Sequence, residues 1–122
     1  MPRVVHFDIP VDDPQRASRF YSEVFGWKIN KWEGGPMDYW LATTGDGEPG
    51  INGGLTPRSE MYKGTVNTID VASIDDAISA IEQHGGKVAA PKMHIPGVGH
   101  FATCLDTERN VFGILQVDRA AS

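Results

Sequence analysis

The chain repeats itself at a spacing of 60 residues. Slid against itself by that offset without gaps, it matches at eleven positions between residues 5 and 57, among them Ile9/Ile69, Val11/Val71, Gly26/Gly86, Asp46/Asp106, Gly53/Gly113 and Leu55/Leu115. Average residue usage gives about 3 such matches. The matches spread over the whole window. The 122 residues therefore read as two copies of one unit of about 60 residues, and any fold proposed for one half must also suit the other.

The first half sets out the plan. Val4–Val11 alternates and predicts a strand. Asp13 is a good N-cap and Pro14 suits a first helical position. Ala17, Phe20, Tyr21, Val24 and Phe25 then fall at i, i+3, i+4, i+7 and i+8, the apolar stripe of an amphipathic helix over 14–25 that ends at Gly26. Three short strands are expected at Trp27–Trp32, Met37–Thr43 and Gly50–Leu55, separated by turn material at Gly34-Gly35-Pro36 and Gly45–Pro49. The second half repeats the pattern. It has a strand at Thr65–Val71, a helix over 74–84 started by Ser73 and closed by Gly85-Gly86, and strands at Lys87–Ala90, Gly99–Leu105 and Val111–Val117. Residues 56–64 are the expected linker, and residues 118–122 are expected to fray.

Each half is thus β-α-β-β-β, with modules at about 1–57 and 62–118 of a single domain. One helix covers one face of its sheet, and the other face must find a partner or a ligand. The predicted class is α+β: two tandem βαβββ modules forming a curved mixed sheet around a concave cavity, with the helices outside. Cavities of that kind are ordinary ligand sites.

Composition narrows the function. The balance of 11 basic against 16 acidic residues leaves a net charge of −5. With no basic stripe, nucleic acid is not an expected partner. Apolar runs fall far short of the ~18 residues that span a bilayer, and no signal-peptide pattern stands at the start, so no membrane association is expected. A single cysteine, Cys104, forbids an intrachain disulfide and agrees with a reducing cytoplasm.

Three segments resemble the vicinal oxygen chelate superfamily, which includes glyoxalase I, bleomycin-resistance proteins, fosfomycin-resistance enzymes and ring-cleaving dioxygenases. They are His6-Phe7-Asp8-Ile9-Pro10-Val11-Asp12-Asp13-Pro14, Phe20-Tyr21-Ser22-Glu23-Val24-Phe25-Gly26-Trp27, and the turn Asp106-Thr107-Glu108-Arg109-Asn110-Val111-Phe112-Gly113. In the third, Thr107 and Arg109 stand where the family usually has Pro and Gly. The resemblance implies the same paired βαβββ modules. It also implies, for the metal enzymes, one ligand from the opening and one from the closing strand of each module. His6 matches one such position. Val66, Gly53 and Gly113 occupy the other three and offer no donor, so no metal site and no cofactor are predicted, with a divalent cation left as the alternative.

Strand alternation selects the candidate ligand-binding residues. If Phe7, Ile9 and Val11 face the helix, His6 and Asp8 face the cavity; in the second half Val66, Thr68 and Asp70 do so. Trp40 is the expected member of an aromatic group with Trp27, Trp32 and Tyr39, of which Tyr39 and Trp40 point to opposite faces. His94 and His100 flank Pro96-Gly97-Val98-Gly99, read as a flexible segment, and His100 is the candidate there for ligand contact or general-base work. Asn52 and Gln116 are expected on the helix-facing side. Cys104 reads as a quiet buried thiol. No nucleophile-elbow, phosphate-loop or dinucleotide fingerprint occurs, and no catalytic residue is assigned.

The expected function is a metal-free protein of the glyoxalase and bleomycin-resistance type that binds a small organic molecule. Its alternatives are a metal-dependent lyase, isomerase or dioxygenase, and a non-catalytic interaction module. A homodimer is the expected assembly.

Overall fold

A computed structural model describes residues 2–33, 37–47 and 49–118. The expected turn at Gly34-Gly35-Pro36, Glu48 in the second expected turn, and residues 119–122 of the expected frayed end lie outside the described residues. The described chain is α+β, with eight strands and two helices. It forms two compact units, residues 5–66, and residues 67–118 with residues 2–4.

The first unit runs β1 (Val4–Val11), α1 (Pro14–Phe25), β2 (Lys28–Lys31), β3 (Trp40–Thr43) and β4 (Asn52–Pro57). The strand order is β2-β3-β4-β1, with β1 and β4 parallel and the rest antiparallel. Asp13 starts α1 by accepting the Arg16 backbone N–H at 3.0 Å, and Gly26 ends it in the left-handed conformation, φ 76°. No residue of α1 is fully buried. The helix is instead held by rings: Tyr21 stacks on Trp27 with centroids 4.9 Å apart, and Phe7 and Phe25 each lie within 6 Å of the same indole. The core proper is small: Val11, Ala42 and Leu55.

The second unit repeats the plan with β5 (Val66–Asp70), α2 (Ile74–Gln83), β6 (Lys87–Ile95), β7 (Gly99–Leu105) and β8 (Val111–Val117), ordered β5-β8-β7-β6. Ser73 caps α2 by accepting from the Asp76 N–H. Its core is larger. Ile74, Ala102, Cys104 and Ile114 are buried together, and Ile69, Val71, Ile78, Ile81 and Phe112 pack around them. The Asp106–Asn110 turn is held by one carboxylate. Asp106 accepts from the Asn110 and Glu108 N–H groups and from the Asn110 amide, which holds its carboxyl below the usual range. Within that turn Arg109 carries φ 66°, a conformation a side chain resists.

Several boundaries differ from expectation, most of them by one or two residues. β3 starts at Trp40 rather than Met37. β4 runs to Pro57, taking Thr56 and Pro57 from the expected linker. β6 extends to Ile95 rather than ending at Ala90, so His94 lies in a strand. Pro91 tolerates this because β6 is an edge strand, where a missing N–H costs no ladder bond, and the pairing steps around it in two register shifts.

Two substitutions test this packing. Ile114→Ala in the larger core should cost about 2–5 kcal/mol in urea unfolding. Arg109→Gly should raise stability by about 1 kcal/mol through relief of the left-handed residue; a drop would show that the Arg109 side chain holds the turn.

Candidate functional site

Cross-strand partners share a face, so the register of the first unit sorts its side chains. Phe7, Gly53 and Ala42 are partners in one row and Ile9, Leu55 and Trp40 in another; Phe7 reaches Trp27 and so marks the α1 side. On the opposite face Asp8 pairs with Gly54, which pairs in turn with Leu41, and His6 pairs with Asn52. Tyr39, two residues before Leu41, joins them.

Three side chains meet there. Tyr39 Oη lies 2.6 Å from His6 Nε2 and 2.5 Å from Asp8 Oδ1, and His6 Nε2 is 3.3 Å from the same carboxylate oxygen. An ionised carboxylate only accepts, so Tyr39 spends its one proton on Asp8. Its oxygen then accepts from His6 Nε2–H. The chain His6→Tyr39→Asp8 thereby makes Nε2 the donor, and Nδ1 has no hydrogen-bond partner among the described residues. Burial chiefly, then the charge and hydrogen bond of Asp8 and the proximity of Tyr62, push the Tyr39 phenol well above its ordinary range. Tyr39 therefore works as a fixed neutral donor. Asp8 is buried, while the His6 side chain keeps 29% of its surface exposed. The group presents solvent with an imidazole edge backed by a buried negative charge.

Gly54 makes room for this arrangement. A Cβ there would sit 1.9 Å from Tyr39 Oη. On the other side of the same strand a Cβ on Gly53 would sit 2.5 Å from the Phe7 ring.

The register corrects three expectations. Gly53, matched to a closing-strand ligand position, faces α1 with Phe7, and Gly54 and Asn52 share the face of His6. Asn52 is thus not on the helix-facing side, and its Oδ1 accepts the Thr44 N–H at 2.9 Å. Trp40, the aromatic candidate, stands on the α1 side across from Leu55, with the Lys31 ammonium 5.8 Å from its ring. Tyr39 takes the place on the His6 face. Trp32 lies edge-on to Tyr39 with centroids 6.1 Å apart, and Trp27 belongs to the packing of α1.

In the second unit Thr68 pairs with Gly113, which pairs in turn with Thr103, and Asp70 pairs with Leu115, which pairs in turn with Phe101, all on the face away from α2. Thr68 is 2% exposed, and its hydroxyl has no hydrogen-bond partner among the described residues. The Phe101 ring and the Thr68 hydroxyl both press on Gly113, where a Cβ would lie within 3 Å of each. His100 is not with them. It pairs with Gln116 on the α2 side, beside His94. Gln116 is helix-facing, and its Oε1 accepts the Ile74 N–H at the start of α2. Cys104 is buried, which together with the charge of Glu82 raises its thiol pKa. His84 stays within its own helix end, Nδ1 donating to the Ala80 carbonyl at 2.8 Å. No helix among the described residues is long and apolar enough to cross a membrane.

Comparison with known proteins places this geometry in context. The family model described as bleomycin resistance protein-like N-terminal matches residues 3–37. A glyoxylase-like domain-containing protein of Didymella fabae is 30% identical over 112 residues, covering 88% of each chain. The glyoxylase-type protein CFP32 of Mycobacterium bovis is 28% identical over 123 residues; the match takes in 92% of this chain but only 44% of CFP32. Among solved structures, protein BH1468 of Bacillus halodurans aligns at a TM-score of 0.72 with 16% identity, covering 99% and 98% of the two chains. Methylmalonyl-CoA epimerase of Mycobacterium tuberculosis aligns at 0.71 with 12% identity, covering 95% and 88%. At these identities the structural matches establish the fold alone.

Tyr39→Phe removes a proton donor to a buried carboxylate and should cost about 1–3 kcal/mol at neutral pH. The pH dependence comes from the raised phenol. The unfolded chain loses the Tyr39 proton near pH 10 while the folded chain keeps it, so this stabilisation is complete below that point and shrinks as the pH rises above it. Denaturant titrations from pH 9 to 11 should show a shallower loss for Tyr39→Phe than for the parent chain; equal slopes would mean that Tyr39 is not held protonated.

Proposed function

The chain belongs to the vicinal oxygen chelate superfamily, and we propose that it binds a small polar organic molecule at the His6, Asp8 and Tyr39 face without using a metal there. The closed hydrogen-bond chain among these three side chains carries the proposal. His6 Nε2 is engaged by Tyr39 and Asp8, and the Asp8 oxygen on this side accepts from both. Gly54 supplies no donor, and a neutral phenol fills its space. This donor set does not suit a tight divalent site, which needs several anionic or imidazole ligands turned to one point. It does suit a ligand carrying a hydrogen-bond donor or a cation, drawn to the free imidazole edge and the charge behind it. In the second unit, Thr68 and Asp70 form that unit's own candidate contact group, supported by a Thr68 hydroxyl that has no hydrogen-bond partner among the described residues.

In this reading the chain acts as one glyoxalase-like domain in a reducing cytoplasm, in keeping with its single buried thiol. The reading includes a homodimer, since α1 leaves Phe20, Val24 and Phe25 each more than half exposed, an apolar surface that monomers seldom leave uncovered.

Thermal-shift screening of cationic and aromatic metabolites, with calorimetry on the hits, tests the reading. His6→Ala and Asp8→Asn should each weaken a hit by about 1–3 kcal/mol while the circular dichroism spectrum stays unchanged. Hits that bind equally well to both variants would move the site elsewhere. Affinity or turnover that appears only on addition of Zn²⁺, Ni²⁺, Mn²⁺ or Fe²⁺ and disappears in His6→Ala would favour a metal-dependent enzyme instead.

A further inference from the structure

A second group of chemically active side chains lies away from the His6 face. His94 and His100 are direct cross-strand partners at the top of the β6–β7 hairpin. Their rings stand with centroids 4.6 Å apart. Asp118 comes one residue after β8 and lies two beyond Gln116, the partner of His100, so alternation places it on the same face as both imidazoles. Its carboxylate Oδ2 is 2.8 Å from His94 Nε2. One donor atom from each of the three residues falls in a set whose members all lie within 4.8 Å of one another.

The backbone fixes this grouping. The hairpin turn closes with Val98 N–H donating to Ile95 O at 2.9 Å, and Asp118 N–H donates to Val98 O at 3.0 Å. The end of β8 is thereby tied to the turn, and all three side chains rise from paired backbone. Nearly half of the His94 side chain and a third of the Asp118 side chain remain exposed, so an ion has direct access from solvent.

We propose that His94, His100 and Asp118 form a binding site for a divalent transition-metal ion of the Zn²⁺ and Ni²⁺ type. Two imidazoles and one carboxylate match the preferences of such ions and not those of Mg²⁺ or Ca²⁺, which favour all-oxygen shells. Ligand bonds of about 2.0–2.2 Å place the donors of a tetrahedral site about 3.4 Å apart. The ion would enter the existing His94–Asp118 contact, replace its proton and draw in the His100 ring by rotation. Water completes the shell. The bound ion would tie the β6–β7 hairpin to the end of β8, as a clip built from three ligands on neighbouring strands.

The experiment uses untagged full chain stripped with chelator. Zn²⁺ titration by calorimetry should give one equivalent bound, and Co²⁺ should develop visible bands of nitrogen and oxygen coordination. Zn²⁺ should also raise the melting temperature. His94→Ala, His100→Ala and Asp118→Asn should each weaken Zn²⁺ binding by at least about tenfold, the loss seen even for residues that merely support metal ligands. Each should also abolish the thermal shift, with the circular dichroism spectrum unchanged. His6→Ala should bind Zn²⁺ like the parent chain. Absence of binding in the stripped parent chain, or binding unaffected by both histidine variants, overturns the assignment. Binding lost in His6→Ala and kept in His94→Ala overturns it too, and places the ion on the face proposed for an organic ligand.

Discussion

Two successive glycines in β4 let aromatic rings close on the strand from both sides. Phe7 lies against Gly53 on the α1 side and Tyr39 against Gly54 on the other. A parallel strand pair would ordinarily separate its two faces by a layer of side chains. Here the backbone itself is the divider. The first ring belongs to the cluster that holds a helix with no fully buried residue of its own. The second is brought down to the level of His6 and Asp8. Packing on one face and chemistry on the other therefore depend on the same missing atoms, and either glycine is constrained by volume more than by backbone angle.

The His6 face carries an electrostatic arrangement with one fixed sense. Asp8 is buried and acquires two donors, Tyr39 and, more weakly, His6. The phenol cannot ionise beside it, so the proton order along the chain does not reverse. Such an arrangement holds an imidazole in one orientation, because Nε2 is engaged by both Tyr39 and Asp8. Preorganisation of this sort lowers the cost of ordering a binding group when the ligand arrives.

Much of the fold was legible because its signals are local. β1, α1, β7 and β8 start and stop where alternation, the Asp13 cap and the glycine stop place them. His6 and Asp8 were legible for the same reason, being two residues apart on one strand. Tyr39 and Trp40 were not separable, because the face each takes is set by the β3–β4 register across a long connection that sequence alone does not align. His100 was legible as a candidate on its own strand, but its pairing with His94 was not, because the expected strand stopped at Ala90, just before Pro91, which an edge strand accommodates. Asp118 fell in a segment read as frayed, while its N–H is in fact bound to the hairpin turn. In each case the missing information was a pairing between strands, a non-local quantity that composition and periodicity do not contain.

The duplicated halves also differ by a single step. Gly53 stands opposite Phe7, but its repeat partner Gly113 stands opposite Thr68, the counterpart of Asp8. The antiparallel side shows the same step, Ala42 opposite Gly53 against Thr103 opposite Gly113. A shift of one residue turns a strand's inward set outward. The same amino acid at matched positions of the two copies therefore answers to different neighbours, the Phe7 ring on the helix side in one and Phe101 with Thr68 on the face away from the helix in the other. After such a slip the copies are no longer interchangeable parts: a change acceptable in one has no reason to be acceptable in the other, and each closing strand is free to diverge along its own course.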